Sequence, residues 1–283
     1  MAKLIDGRAI AAEIQAELAT EVVNLRAKGI VPGLAVALVG GDPASHTYVR
    51  SKLRTAERLG IRSIDHSAPE DITQEQLLAL VQEWNHDPTI HGILIQLPLP
   101  PQISSRSLLE AIVPAKDVDG FHPYNVGTLL LTGSTPMPPC TPAGIMELLS
   151  RSGIDLAGKE TVVVGRSNIV GKPVSQMLLA ANATVTICHS RTRNLAEVCR
   201  RADVLVVGIG KPRLITGDFV KEGAVVIDVG SNHVDGKYYG DVDFDTVEPK
   251  ASYITPVPGG VGPMTITMLM KNTICAAKAC TPR

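Results

Sequence analysis

The sequence predicts an α/β protein of two domains. Three observations carry that reading. Short apolar runs alternate with amphipathic segments along both halves of the 283-residue chain. A glycine turn, TVVVGRSNIVGKP over 161–173, joins an apolar run to a helical pattern. Between the halves lies a different stretch, 98–140, crowded with prolines at 98, 100, 101, 114, 123, 136, 138 and 139. A loop-rich segment between two βα halves is the expected place for a cleft.

In chain order, 8–28 reads as an amphipathic helix, with Ile10, Ile14, Leu18, Val22 and Leu25 near helical spacing and Gly29 and Pro32 ending it. Leu34–Val39 is an apolar strand. After the turn Gly40-Gly41-Asp42-Pro43 comes a helix, Ala44–Leu59, stopped by Gly60 as a C-terminal cap. Ile61–Ser67 is a second strand. Thr73 and Gln76 form a capping box for a helix to about Trp84. Gly92–Leu97 is a third strand, so the first half is βαβαβ and implies a parallel sheet with right-handed crossovers.

In the second half, Thr141 caps a helix with Pro142 at its first position, and Gly153 ends it. Strand Thr161–Val164, a helix opened by Pro173, strand Thr184–Cys188, a helix from Asn194, and strands Val204–Val207 and Val225–Val229 follow. The Pro/Gly-rich loop TPVPGGVGP over 255–263 then leads into a final helix, Met264–Ala279. The domains are expected at 1–139 and 140–262, with 263–283 packing back on the first.

Composition narrows the function. Hydrophobic residues are 45% and charged residues 19% of the chain, as in ordinary soluble globular proteins. A net charge of −1 leaves no footprint for nucleic acid or a membrane surface. No apolar run reaches the length of a membrane span, and MAKLIDGRAIAAEIQ lacks the apolar core of a secretion signal. Five cysteines without CxxC spacing read as free thiols in a reducing compartment, hence a cytoplasmic protein. Metal-ligand spacing, a GxSxG elbow and a Walker A pattern are all missing, so no metal is expected.

The turn at Gly165, Arg166 and Ser167, with Gly171 beyond it, reads as a phosphate site. Backbone N–H groups approach the anion there, and the helix dipole favours negative charge. This is a variant of the dinucleotide fingerprint, and it makes the second domain Rossmann-like. The next strand ends in Cys188-His189-Ser190-Arg191-Thr192-Arg193. In dinucleotide folds an acidic residue at this tip marks NAD, whereas a basic, hydroxyl-bearing tip suits the 2′-phosphate of NADP. No acid is present. Ser190, Arg191 and Arg193 offer donors, and Arg166 can reach the same phosphate bidentately, which points to NADP.

In the first half Ser45, Tyr48 and Lys52 share one helix face. A partly desolvated lysine beside a tyrosine has a pKa lowered toward acid/base range; the plain alternative is a snorkelling surface lysine. Gln96 closes an apolar strand at its carboxyl end, where ligands bind in open α/β sheets, and Lys52 is a candidate partner for its amide. Asp117 and Asp119, in KDVDGFHP, offer a carboxylate for two N–H groups of an amidine-like heterocycle, unless they cap a turn. The glycines of Pro258-Gly259-Gly260-Val261-Gly262 admit close backbone approach to a flat ligand, or simply link into the last helix.

Six segments in order, Tyr48–Lys52 (YVRSK), Ile95–Pro100 (IQLPLP), Lys116–Pro123 (KDVDGFHP), Pro139–Gly144 (PCTPAG), Gly165–Pro173 (GRSNIVGKP) and Thr255–Met264 (TPVPGGVGPM), resemble the bifunctional methylenetetrahydrofolate dehydrogenase/methenyltetrahydrofolate cyclohydrolase family. The resemblance implies two reactions in one cleft: NADP-dependent oxidation of 5,10-methylenetetrahydrofolate to the methenyl cation, then its hydrolysis to 10-formyltetrahydrofolate. It makes Lys52 the acid/base group, Gln96 its holder, Tyr48 a group stacking near the folate and Asp119 the carboxylate on the pterin edge. Ser45, Ile95, Leu97 and Pro258–Gly262 line the folate side. Gly165, Arg166, Ser167, Ser190, Arg191 and Ser231 hold NADP. Ser231 departs from the branched aliphatic residue usual after Asp228-Val229-Gly230, which alters packing near the nicotinamide. A homodimer is implied as well. Two other readings remain at this point: a dehydrogenase without effective cyclohydrolase, and a folate- or nucleotide-binding protein without turnover.

Overall fold

The computed structural model describes residues 1–280. The chain divides into two units. One comprises 13–128, 135–140 and the C-terminal segment from Ile266; the other comprises 1–12, 129–134 and 141–265.

The first unit is built on three parallel strands, Gly33–Val39, Arg62–Ala68 and Gly92–Ile95, with Gly33–Val39 in the centre. Every residue of the central strand is buried. That follows from its unbroken apolar sequence, as expected of a parallel strand covered on both faces. The helix Pro43–Leu59 returns the chain between the first two strands. Asp42 caps its start by accepting the Ser45 N–H, and Gly60 ends it in the left-handed region at φ 76°. The helix Gln74–His86 has the expected reciprocal capping box between Thr73 and Gln76. Leu77, Val81 and Trp84 of this helix pack with Ala35, Ile93 and Ile95 of the sheet.

The second unit holds a six-stranded sheet in which all neighbours are parallel. Glu160–Val164 lies between Thr184–Cys188 on one side and Val204–Val207 on the other; Val225–Asp228, Tyr253–Ile254 and Lys3–Leu4 continue the sheet outward. The chain therefore steps first to one side of Glu160–Val164 and then to the other. That reversal opens a crevice at the carboxyl ends of Glu160–Val164 and Val204–Val207, the usual ligand position in such sheets.

Several sequence expectations are corrected. The proline-crowded stretch is not simply loop: it contains helices Ser105–Ala111 and Pro123–Thr132. Three helices begin before their prolines, at Cys140, Gly171 and Val261, two residues ahead of Pro142, Pro173 and Pro263. Thr141 is therefore inside its helix, not its cap. A helix's first N–H groups have no intrahelical partner, so proline fits anywhere in the first turn. The segment after Gly230 forms a hairpin, Asn232–Val234 with Lys237–Tyr239, that the sequence reading did not include.

Candidate active site

Gln96 follows the Gly92–Ile95 strand, where its N–H donates to the Ala37 carbonyl at 2.9 Å and holds it at the sheet's carboxyl edge. About two and a half turns into the neighbouring helix, Lys52 is only 5% exposed. Its Nζ donates to Gln96 Oε1 at 3.0 Å and lies 4.8 Å from the centre of the Tyr48 ring. The Gln96 amide is oriented in turn, because its Nε2 donates to the Leu97 carbonyl at 2.7 Å. Ser45, on the same helix face, is buried with its Oγ donating to the capping Asp42 at 2.7 Å. Ile95 is buried within the strand. Burial pushes the Lys52 ammonium below the ordinary lysine range, and the nearby Asp119 carboxylate opposes that shift.

The fold separates the roles of the two aspartates. Asp117 is 1% exposed and is a structural cap: it accepts from the N–H groups of Gly120 at 3.1 Å, Phe121 at 3.2 Å and His122 at 2.8 Å, and from Asn125 Nδ2 at 2.8 Å. Asp119, two residues on, interacts with Lys52 and with the Cys140 thiol. Burial pushes its carboxyl upward, while the Lys52 charge pulls it back. A lysine and an acid pressed toward neutrality beside each other can exchange protons at modest cost, which is what acid/base chemistry requires.

Two members of this cluster escaped the sequence reading. Cys140 is 1% exposed, and burial holds its thiol well above the ordinary range, so it is a neutral donor there. Asn272, from the last helix, donates through Nδ2 to the carbonyls of Val118 at 2.8 Å and Pro138 at 2.9 Å, fixing the backbone just ahead of Asp119 and of Cys140. The sequence signal for Asn272 was an amide set within an apolar helix; for Cys140 there was none beyond a motif neighbour.

In the other unit, the switch point of the sheet carries a cavity of about 300 Å³ lined by Val164, Gly165, Arg166, Ser167, His189 and Ser190, with Leu195, Gly208, Ile209, Lys211 and Leu214 completing it. Gly165 has φ 132°, and a Cβ there would lie 2.3 Å from the Gly208 carbonyl oxygen. Only glycine lets the two strand ends meet so closely. Arg166, Ser167 and Ser190 are exposed, and no Asp or Glu lines the cavity. The lining fits a dinucleotide with a 2′-phosphate: cations and hydroxyls for the phosphate, apolar Leu195, Ile209 and Leu214 for a base.

Two details differ from the expectation. The helix N-terminus at Gly171 is already engaged: Ser167 Oγ accepts from Val170 N–H at 3.1 Å and Gly171 N–H at 3.3 Å, and the Ser167 carbonyl accepts from Lys172 N–H at 3.0 Å. Those donors cap the helix and do not wait for an anion. Arg191, Arg193 and Ser231 are exposed but do not line this cavity, whereas Lys211, unremarked in the sequence, does. His189 is a packed loop residue, its Nδ1 accepting the Arg191 N–H at 3.1 Å.

The Pro258–Gly262 stretch lies in the same unit as this cavity. A Cβ on Gly7 would fall 1.8 Å from the Gly260 carbonyl oxygen, so the loop is pressed against the chain's own first helix. Gly259 has φ 114°, and a Cβ on Gly260 would fall 2.7 Å from the Pro256 carbonyl oxygen, so both have an internal reason to be glycine. Pro258 and Gly262 are exposed, and Val261 is buried as the first residue of the last helix. Among the described residues no group of three or more His, Cys, Asp and Glu side chains gathers as a metal site, and no helix is long and apolar enough to cross a membrane.

Known proteins match the chain along nearly its whole length. Residues 5–119 match the catalytic domain of tetrahydrofolate dehydrogenase/cyclohydrolase, and residues 139–281 match its NAD(P)-binding domain. The chain is 61% identical over 279 residues to the bifunctional protein FolD 2 of Geobacter sulfurreducens, covering 98% of each. Its fold resembles the crystal structure of the bifunctional FolD dehydrogenase/cyclohydrolase from Campylobacter jejuni, with a TM-score of 0.96 at 51% identity over 99% of both chains. The Trypanosoma brucei enzyme complexed with NADP cofactor and inhibitor superposes with a TM-score of 0.94 at 43% identity over 98% of both chains. The chain belongs to the tetrahydrofolate dehydrogenase/cyclohydrolase family.

Proposed function

We propose that the chain is a bifunctional enzyme of one-carbon metabolism. It oxidises 5,10-methylenetetrahydrofolate to 5,10-methenyltetrahydrofolate with NADP⁺ and hydrolyses that product to 10-formyltetrahydrofolate. Bound NADP⁺ supplies the hydride acceptor for the methylene carbon. The protein's part in that step is orientation: Gly165, Arg166, Ser167 and Ser190 seat the nucleotide, and Asp119 takes the amino and ring N–H edge of the pterin.

The observation that carries the reading is the buried Lys52, bonded to Gln96 and coupled to Asp119. Hydrolysis adds water to the amidinium carbon. The neutral Lys52 amine accepts a proton as the carbon–oxygen bond forms. The resulting ammonium protonates N5 as the carbon–N5 bond breaks, and the remaining hydroxyl proton leaves to give the formyl group. Gln96 holds the Lys52 Nζ in place through both transfers, and the Tyr48 ring favours the transient ammonium through its π face. Ser45, Ile95 and Leu97 form the walls on the folate side, and the family resemblance assigns Pro258–Gly262 to the folate as well.

We further infer a cytoplasmic homodimer. The family resemblance supports the dimer, and the five free thiols fit a reducing compartment. The test of the site is Lys52→Met. It should abolish hydrolysis of supplied methenyltetrahydrofolate while the circular dichroism spectrum and NADP⁺ affinity stay those of the wild type. Near-wild-type hydrolysis would refute the assignment.

A further inference from the structure

Asp241 is fully buried, yet the donors that meet its carboxylate are neutral backbone and amide N–H groups. Burying a carboxylate is costly unless its oxygens are fully satisfied. Here three successive backbone N–H groups converge on it: Ile209 at 2.6 Å and Gly210 at 2.9 Å on Oδ2, and Lys211 at 2.8 Å on Oδ1. Asn232 Nδ2 adds a fourth bond to Oδ1 at 2.9 Å. Asp241 is itself fixed, because its N–H donates to Asp228 Oδ1 at 3.0 Å, and Asp228 also takes the N–H groups of Gly230 at 2.8 Å and Val242 at 2.9 Å.

The captured loop belongs to the nucleotide cavity, since Ile209 and Lys211 line it together with Arg166 and Ser190. A second tie lies just beyond, where the Arg213 guanidinium bonds Asp243 Oδ1 at 2.6 Å and Asp245 Oδ2 at 3.0 Å. Lys211 is exposed and pairs with no carboxylate among the described residues. A cation on a clamped backbone, facing an acid-free cavity, is preorganised for an anion.

We infer that Asp241 is a positioning residue for nucleotide binding: it holds Ile209–Lys211 as one wall of the cavity and presents Lys211 as a further cation for the 2′-phosphate of NADP. The inference rests on the placement of the nucleotide at the Gly165 cavity. Asp241 touches no ligand and acts through the loop. Lys211 is the contact and so helps decide NADP over NAD.

The test is calorimetric titration of the full-length protein with 2′,5′-ADP and with 5′-AMP, which differ only by the 2′-phosphate. Lys211→Ala should weaken 2′,5′-ADP about tenfold and 5′-AMP less than about twofold, and Lys211→Arg should restore the difference. Asp241→Asn should weaken 2′,5′-ADP at least as much. In that background Lys211→Ala should cost little more, because the loop no longer presents the charge. Hydrolysis of methenyltetrahydrofolate without nucleotide should keep its wild-type rate in Asp241→Asn, which a general loss of structure would not allow. If Asp241→Asn does not fold, Asn232→Ala removes one bond to Oδ1 and should weaken 2′,5′-ADP about threefold. An unchanged 2′,5′-ADP affinity in Lys211→Ala, equal losses for both fragments, or additive effects of the two substitutions would overturn the inference. Arg166→Ala run in parallel separates the failures. If it weakens 2′,5′-ADP while Lys211→Ala does not, only this inference falls; if neither does, the cavity assignment falls with it.

Discussion

Lys52 donates to Gln96 across 3.0 Å, joining the inward face of a helix to the carboxyl end of the neighbouring parallel strand. The bond leaves a buried lysine with one fixed neutral acceptor. An amide holds Nζ without a full opposing charge, so the pKa depression caused by burial survives. Replacing Gln96 by Glu would add that charge. Gln96→Glu is expected to raise the Lys52 pKa and slow hydrolysis about a hundredfold at neutral pH, a range typical of a lost acid/base group. The wild-type rate should be partly recovered at higher pH. A pH-independent loss would show that Gln96 serves substrate binding alone.

Asp119 should tune the same group from the other side. Its carboxylate raises the Lys52 pKa against burial. Cys140 contributes no opposing charge at neutral pH, because its thiol is held protonated. Asp119→Asn removes the negative neighbour, so the limb of the rate profile that reports Lys52 should move to lower pH, with a raised KM for folate besides. A pH–rate profile of the hydrolysis step reads both. A limb that moves upward or stays fixed contradicts the coupling.

Asp117 should behave quite differently from Asp119. Its carboxylate is the hub of three backbone N–H groups and the Asn125 amide. Asp117→Ala leaves those buried donors unpaired and is expected to destabilise the fold by about 3 kcal/mol. Denaturant unfolding measures the loss. A smaller effect than that of Asp119→Ala would reverse the roles assigned to the two residues.

Nucleotide selection should reside at the switch-point cavity. Arg166→Ala combined with Ser190→Ala is expected to lower the ratio of kcat/KM for NADP⁺ over NAD⁺ by ten- to a hundredfold, or about 1.4–3 kcal/mol. An unchanged ratio would put the 2′-phosphate elsewhere.

Asp228 gives the second unit a pH dependence. Burial, with the Asp241 charge, pushes its acid up to about 7, and the three N–H groups it accepts offset this only in part. An acid whose pKa rises from 3.8 on folding binds its proton more tightly in the folded chain. Its stabilising contribution is present below the unfolded value and is lost as pH climbs toward about 7. Asp228→Asn cannot titrate. The melting temperature of that variant, relative to the wild type, should therefore rise between about pH 4 and 7 and level off above. A constant difference across that window would contradict the shift.

Much of this fold was legible because parallel strands buried on both faces announce themselves as unbroken apolar runs. Thr184–Cys188 and Val204–Val207 have the same bounds in the sequence reading and in the structure. The helices start at Cys140, Gly171 and Val261, ahead of the positions their prolines suggest, for one shared reason: the first turn accepts proline two residues after the helix start. The hairpin after Gly230 did carry a signal. Asp235-Gly236 has φ 49° and 77°, the positive pair that a two-residue hairpin turn demands, between residues able to form strands. Lys3–Leu4 and Tyr253–Ile254 are too short for any periodicity and exist by pairing with the sheet.

At the site, Lys52, Tyr48 and Gln96 could be grouped from helical spacing and a strand end. Asp117 and Asp119 offer the same chemistry two residues apart, so only the family resemblance singles out Asp119 in the sequence; the turn that Asp117 caps is a feature of the fold. Cys140, Asn272, Lys211 and Asp241 are long-range neighbours, brought into place by contacts that no local pattern encodes.

The central claim is that one chain performs both steps. The purified protein, given 5,10-methylenetetrahydrofolate and NADP⁺, is followed for NADPH and for methenyl absorbance as separate signals in time. The account predicts that NADPH accumulates while the methenyl product decays faster than it does in buffer alone. NADPH formation with a methenyl signal that decays only at the buffer rate would contradict it, leaving a dehydrogenase in which Lys52 has no hydrolytic role.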